Sequence, residues 1–291
     1  MSEPGPDHGL GTLTLVPTPL GNLGDVSERM RSSLAGADVA ACEDTRVTRR
    51  LYAALGISAP RLVAYSEHTH ARAIDELLGH LDRGAHVIAV ADAGMPAISD
   101  PGARLVAAAR SRGHHVTAIP GPSSVPLAIA LAGVASTRFC FVGFLPRTRS
   151  DLARVVGEAA DQPIVAFESP RRLARTLEAI AEVDPELPVV ACRELSKLHE
   201  TVLTGTAAQV RAALGDEERG EVTLVLGPSG RAPIASGLPD HAVRLAAGMA
   251  AEGVHLKAAC RLVAGELGLS ARGLYNAVIA ARDDDGTRGD S

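Results

Sequence analysis

Short apolar runs punctuate the chain at 13–16, 39–41, 87–91, 116–119, 139–142, 164–167, 189–191 and 222–226. Each has the length of a buried strand. Between them the apolar residues shift to helical spacing: Ile74, Leu77, Leu78 and Leu81 make one stripe, and Leu173, Leu177 and Ile180 another. Strands alternating with helices predict α/β layers with largely parallel pairing. "IPGPSSVP" (119–126) breaks the pattern sharply enough to act as a hinge between two α/β domains, and "GPSGRAPIASGLPD" (227–240) reads as a linker. Beyond it the pattern is helical only. The expected organisation is a loose tail over 1–10, an α/β domain over 11–120, a second over 121–228, a linker over 229–240, a helical module over 241–282 and an acidic tail over 283–291.

Composition narrows this picture. A chain of 291 residues accommodates two ordinary domains. Trp is absent and aromatics make up 2%, so the cores must be aliphatic. No apolar run approaches the roughly 20 residues that span a bilayer, and "MSEPGPDHG" lacks the basic and apolar regions of a signal peptide. The four cysteines are far apart, without a C-x-x-C pair, and three sit in apolar stretches. A cytoplasmic protein with no membrane partner is the expectation. The formal charge of −5 resides in the two tails; without them the body is neutral, and local basic patches remain open to it.

Three Gly/Pro loops follow three of the apolar runs: "PTPLGNLGD" (17–25), "VADAGMPAISDPG" (90–102) and "PGPSS" (120–124). Loops at the carboxyl ends of parallel strands are where α/β sheets bind ligands. Each alone is explained as a tight turn; three in one half of the chain are harder to dismiss. They carry no Lys or Arg, and one carries Asp92. A phosphate site needs the opposite. A carboxylate suits an ammonium, a ribose hydroxyl or a sulfonium, and S-adenosylmethionine offers all three without a phosphate.

"LVPTPLGNLGDVS", "ACEDTR", "DAGMPAISDPG", "PGPSS" and "FESPRR", in this order, resemble the tetrapyrrole methylase superfamily, and more closely its branch of small-subunit ribosomal RNA methyltransferases. "RFCFVGFLPR", "CRELSKLHE" and "GEVTLVLG" extend the resemblance over roughly residues 10–228. It implies two α/β domains of the tetrapyrrole methylase type, S-adenosyl-L-methionine folded into the cleft between them, and a homodimer. It implies 2′-O-methylation of a cytidine ribose in the decoding region of 16S rRNA, with the 30S subunit or a late precursor, not naked RNA, as the expected substrate and no DNA partner. By position, Leu20, Asp92, Met95, Ser123, Ser124 and Glu168 match cofactor-contacting places. Many small-molecule members carry G-x-G-P-G in the first loop and G-D-P in the second, where this chain has P-T-P-L-G and A-D-A-G.

Methyl transfer to a ribose hydroxyl needs alignment, a dry site, and a base or a cation to manage the hydroxyl proton. Candidates are Glu43, Asp44, Glu168 and the group Arg193, Glu194, Lys197, His199 and Glu200. Glu43, Glu194 and Lys197 rank first, and the sequence does not choose among them. Phosphate contacts fall to Arg46, Arg49 and Arg50 on one presumptive helix, to Arg171, Arg172 and Arg175, and to Arg147 and Arg149. The ordinary alternative for each cluster is a solvated helix surface. His68 and His70 form a pair that no further ligand completes, so no metal is expected. Over 256–282, a stop at Gly268 and a cap at Ser270 predict a helix-turn-helix-like unit with Lys257, Arg261 and Arg272 as RNA-binding candidates, the alternative being a packing or dimerisation appendage. Two rivals stay open: a methylase of a tetrapyrrole or other small molecule, and a non-enzymatic nucleic-acid-binding regulator.

Overall fold

The computed structural model describes residues 10–65, 70–99, 102–134, 136, 138–159, 162–215, 219–228 and 240–267, together with Ala271, Leu274, Tyr275, Val278 and Ile279. The first half forms a sheet from β1 (Thr12–Leu15), β2 (Val39–Cys42), β3 (Arg61–Ala64), β4 (His86–Val90) and β5 (His115–Ala118). Its order is β3-β2-β4-β1-β5 and every pairing is parallel. Alternation along β2 shows why both faces are covered. Val39 and Ala41 pack with α3 (His70–Leu81) and α4 (Gly102–Ser111), whereas Ala40 and Cys42 pack with α1 (Glu28–Ala35) and α2 (Thr45–Leu55). The predicted stripe holds: Leu77, Leu78 and Leu81 are buried on α3.

The second sheet joins β6 (Cys140–Phe144), β7 (Ile164–Glu168), β8 (Pro188–Arg193), β9 (Thr201–Thr206) and β10 (Val222–Leu226) in the order β6-β7-β10-β8-β9. Here the expectation of largely parallel pairing fails. Only β6 and β7 run parallel; β10 is antiparallel to both β7 and β8, and β8 to β9. The short link from β8 to β9 reverses the chain as a hairpin, which leaves no room for the crossover helix that parallel neighbours need. Helices α6 (Arg149–Glu158), α7 (Pro170–Val183) and α8 (Ala207–Ala213) cover one face, with Leu173, Leu177 and Ile180 buried as predicted. The other face takes α5 (Ser124–Ala132) and, from the first half of the chain, Leu20.

α9 (Asp240–Ala251) and α10 (Leu256–Leu267) pack against each other, and Leu274 and Val278 are buried with them. The turn predicted at Gly268 and Ser270 lies outside the described residues, as do Arg272, His68, residues 229–239 of the linker, residues 1–9 and the acidic tail. Among the described residues, no helix is long and apolar enough to cross a membrane.

Candidate functional site

The three Gly/Pro loops meet. Thr18 and Gly94 exchange backbone hydrogen bonds at 3.0 Å each way, and the Thr18 hydroxyl donates to the Ala91 carbonyl at 3.0 Å, so the first and second loops are clipped together. Gly121 brings the third loop against the first: a Cβ there would sit 2.4 Å from Pro17 Cγ. Leu20 then projects from this junction into the core of the second domain, 6% exposed. The second loop reaches across too, with Ser99 Oγ lying against Gly143 of β6.

Between the halves lies a cleft of about 410 Å³. Leu20, Asp92 and Ser124 line it from the three loops, Glu43 from the end of β2, and Phe144, Phe167, Glu168 and Cys192 from the second sheet. Met95 and Ser123 do not line it; both are half-buried, and Ser123 backs onto Gly94. None of the described lining residues is Lys or Arg, whereas Glu43, Asp92, Glu168 and Glu221 are all carboxylates. Such walls repel phosphate and suit a cation beside hydroxyls, which fits the sulfonium and ammonium of S-adenosylmethionine.

Asp92 accepts a hydrogen bond from the Asp44 N–H at 3.2 Å. Burial pushes its carboxyl up, and the Asp44 and Glu221 carboxylates add to the rise. Asp44 itself caps α2, accepting from Arg46 N at 2.8 Å, and pairs with the Arg46 guanidinium at 2.6 Å. That guanidinium holds the Asp44 carboxyl well below the usual carboxylate range. Arg46 is thus engaged at the surface, whereas Arg49 and Arg50 are exposed on α2.

Across the cleft, Glu168 is buried. It accepts from Ser169 N at 2.6 Å and Thr176 Oγ1 at 2.7 Å, and pairs with Arg172 at 3.2 Å. The same Arg172 nitrogen donates to the Leu145 and Pro146 carbonyls at 3.0 and 3.1 Å. Arg172 therefore faces inward and fixes the loop after β6, while its neighbour Arg171 is exposed. One residue of step turns a helical side chain by about 100°, which separates the two.

Glu194 and Lys197 sit beside the cleft rather than on its wall. Lys197 Nζ donates to Glu194 at 3.0 Å and to Glu221, a lining residue, at 3.2 Å; Glu194 also accepts from Glu221 N at 2.8 Å. Burial pushes the Glu194 carboxyl up, but Lys197 and the Glu221 N–H outweigh it and leave it lowered. Burial likewise opposes charge on Lys197, and the two glutamates outweigh it and raise the ammonium. Both groups stay ionised near neutrality, which makes Lys197 a cation and not a base. Its stem packs on Gly21, where φ is +135° and a Cβ would lie 2.4 Å from Lys197 Cγ. Next to it the Ser196 hydroxyl donates to Asp25, a second tie between the halves. Among the described residues, the non-glycine positions with positive φ are Ala97, Ser99, Glu194 and Ser196, all in the two loops that flank the cleft.

The sequence reading missed Glu221, Phe144, Phe167 and Ser99. Glu221 precedes a strand, the end that the rule for parallel sheets discounts. Because β10 runs antiparallel, Val222 pairs with Glu168 and Arg193, and its amino end shares the rim with the carboxyl ends of β7 and β8. On the C-terminal helices, Lys257 and Arg261 are exposed one turn apart on α10. Among the described residues, no cluster of His, Cys, Asp or Glu could hold a metal ion.

Comparison with known proteins places this geometry. Residues 12–211 match the family model described as Tetrapyrrole (Corrin/Porphyrin) Methylases. The chain is 39% identical over 281 residues to the ribosomal RNA small subunit methyltransferase I of Mycobacterium bovis, covering 95% of this chain and 97% of the relative. It is 41% identical over 224 residues to the protein of the same name from Neisseria meningitidis serogroup B, covering 75% and 77%. Among solved structures, uroporphyrin-III C-methyl transferase from Thermus thermophilus, complexed with S-adenyl homocysteine, aligns with a TM-score of 0.53 at 20% identity, covering 75% of this chain and 98% of that one. From its clipped loops, its carboxylate-walled cleft and these likenesses together, the chain belongs to the tetrapyrrole methylase family, in the branch of the ribosomal RNA small subunit methyltransferase I proteins.

Proposed function

We propose that this protein transfers a methyl group from S-adenosylmethionine to the 2′-hydroxyl of a cytidine in the decoding region of 16S rRNA, acting on the 30S subunit as a cytoplasmic homodimer. The observation that carries the reading is the cleft: about 410 Å³, walled by carboxylates and lined by no Lys or Arg among the described residues, while exposed arginines lie outside it. A donor that is cationic and an acceptor that is polyanionic are thereby kept on separate surfaces. The relatives from Mycobacterium bovis and Neisseria meningitidis, both ribosomal RNA small subunit methyltransferase I by name, support the ribosomal half.

Leu20, Ser124 and Phe167 would hold the donor's apolar and adenosine parts, and Asp92 its positive charge. Bound there, the donor supplies a methyl on a cationic sulfur: the oxygen–carbon bond forms, the carbon–sulfur bond breaks with its electron pair left on sulfur, and the hydroxyl proton departs. Glu43, at the rim of the cleft, is the proposed acceptor of that proton. Lys197, the ammonium shared by Glu194 and Glu221, is the proposed hydrogen-bond donor to the developing oxyanion. Arg49, Arg50, Arg171, Lys257 and Arg261 are the proposed phosphate contacts on the protein surface.

The test incubates the full chain with methyl-labelled S-adenosylmethionine and either 30S subunits or a tetrapyrrole precursor, followed by nucleotide-resolution mapping of any labelled RNA. Label at one cytidine ribose is the expected outcome. Label confined to the tetrapyrrole would replace this reading by a small-molecule methylase. Light scattering checks the dimer.

A further inference from the structure

A second cavity, about 260 Å³, opens between the first loop and α2. Pro19, Val47, Leu51 and Ala54 give it an apolar lining, and Arg50 lines it as well. Ala91 and Asp92 belong to its wall and to that of the donor cleft, so the two cavities share a partition at the end of β4. Gly21 lines it too, with the Lys197 stem packed against that glycine.

We propose that this second cavity is the acceptor subsite, which takes one unstacked nucleotide of the RNA with its base among the apolar side chains and its phosphate on Arg50. The inference rests on the proposed ribose methylation and assigns it a place. Three features point to a nucleotide. The donor cleft has the size of a small-molecule site, so a bound donor leaves the acceptor to arrive from a neighbouring space. The second cavity joins an apolar lining to an exposed guanidinium, the pairing that a base and its phosphate require. Arg49 is exposed on the same helix, about 100° around from Arg50 and outside the cavity, on the side where a flanking stretch of RNA backbone would run. A nucleotide seated here would place its ribose beside Ala91 and Asp92, the residues common to both cavities, which is the side from which its 2′-oxygen would enter the donor cleft. Taking a nucleotide out of its stack is the usual device for chemistry within a folded nucleic acid.

Ala54 is exposed and lines the cavity, while Ala53 is exposed and does not. Ala54→Phe fills the space without touching the donor cleft, and Ala53→Phe is its control. With 30S subunits and labelled S-adenosylmethionine, Ala54→Phe is expected to lower kcat/KM about tenfold or more while the Kd for S-adenosylhomocysteine by calorimetry stays within about twofold. Arg50→Gln is expected to raise KM and to reduce the salt slope of 30S binding by about one. Ala53→Phe should behave as wild type in both assays. Undiminished methylation by Ala54→Phe overturns the proposal, and so does a loss that appears in S-adenosylhomocysteine binding instead. Wild-type protein that binds S-adenosylhomocysteine but never methylates 30S subunits refutes the ribosomal reading itself, a result separate from these.

Discussion

The two sheets solve the same problem in opposite ways. In the first, all strands run parallel, so every carboxyl end faces the cleft and every contribution comes from a loop that leaves a strand: Leu20, Glu43, Asp92. In the second, β10 runs against its neighbours, and the rim takes Glu168 from the end of one strand and Glu221 from the start of another. The difference extends to how each half holds its carboxylate. The first half offers backbone loops clipped to one another and an Asp92 whose charge is poorly sheltered. The second half offers a carboxylate buried in a closed network of hydrogen bonds.

The sharpest way to break the comparison is Glu168→Ala. It strips the partner from half-buried Arg172 and leaves Thr176 without its acceptor, so a loss of roughly 3 kcal/mol is expected in denaturant unfolding. An equal loss from Asp92→Ala would erase the distinction, since Asp92, although its carboxyl is partly desolvated, stays open to solvent and should cost little stability.

Binding should show the reverse ranking. Asp92→Asn is expected to weaken S-adenosylmethionine by about tenfold at pH 8. The sign of its pH dependence follows from the raised carboxyl. A cation is attracted only by the ionised form, so wild-type affinity should fall as pH drops through the elevated Asp92 value, at higher pH than an ordinary aspartate would give. The asparagine variant should lack that fall; calorimetry from neutral pH down into the acid range decides.

The smallest effect separates two adjacent arginines. Arg171→Ala should reduce the salt slope of 30S binding by about one and leave S-adenosylhomocysteine binding alone. Arg172→Ala should do the opposite, because its contacts are the Leu145 and Pro146 carbonyls and Glu168 at the cleft wall. Fluorescence titration at several salt concentrations distinguishes them.

What the amino-acid order determined alone was whatever is written in local periodicity. All eight apolar runs became strands, both leucine stripes became buried helix faces, and the three Gly/Pro loops became turns at strand ends. The strands it hid are edges. β3 buries only Val63, and no residue of β9 is fully buried, so neither carries the apolar signal that marks a central strand. Only tertiary structure decided direction and facing. The reversal of β10, which carries Glu221 to the rim, depends on pairing between segments far apart in the chain. Likewise the inward turn of Arg172 depends on Glu168 and two carbonyls waiting there. A residue's type and spacing fix which element it joins; which neighbours that element meets is settled by how the whole core closes.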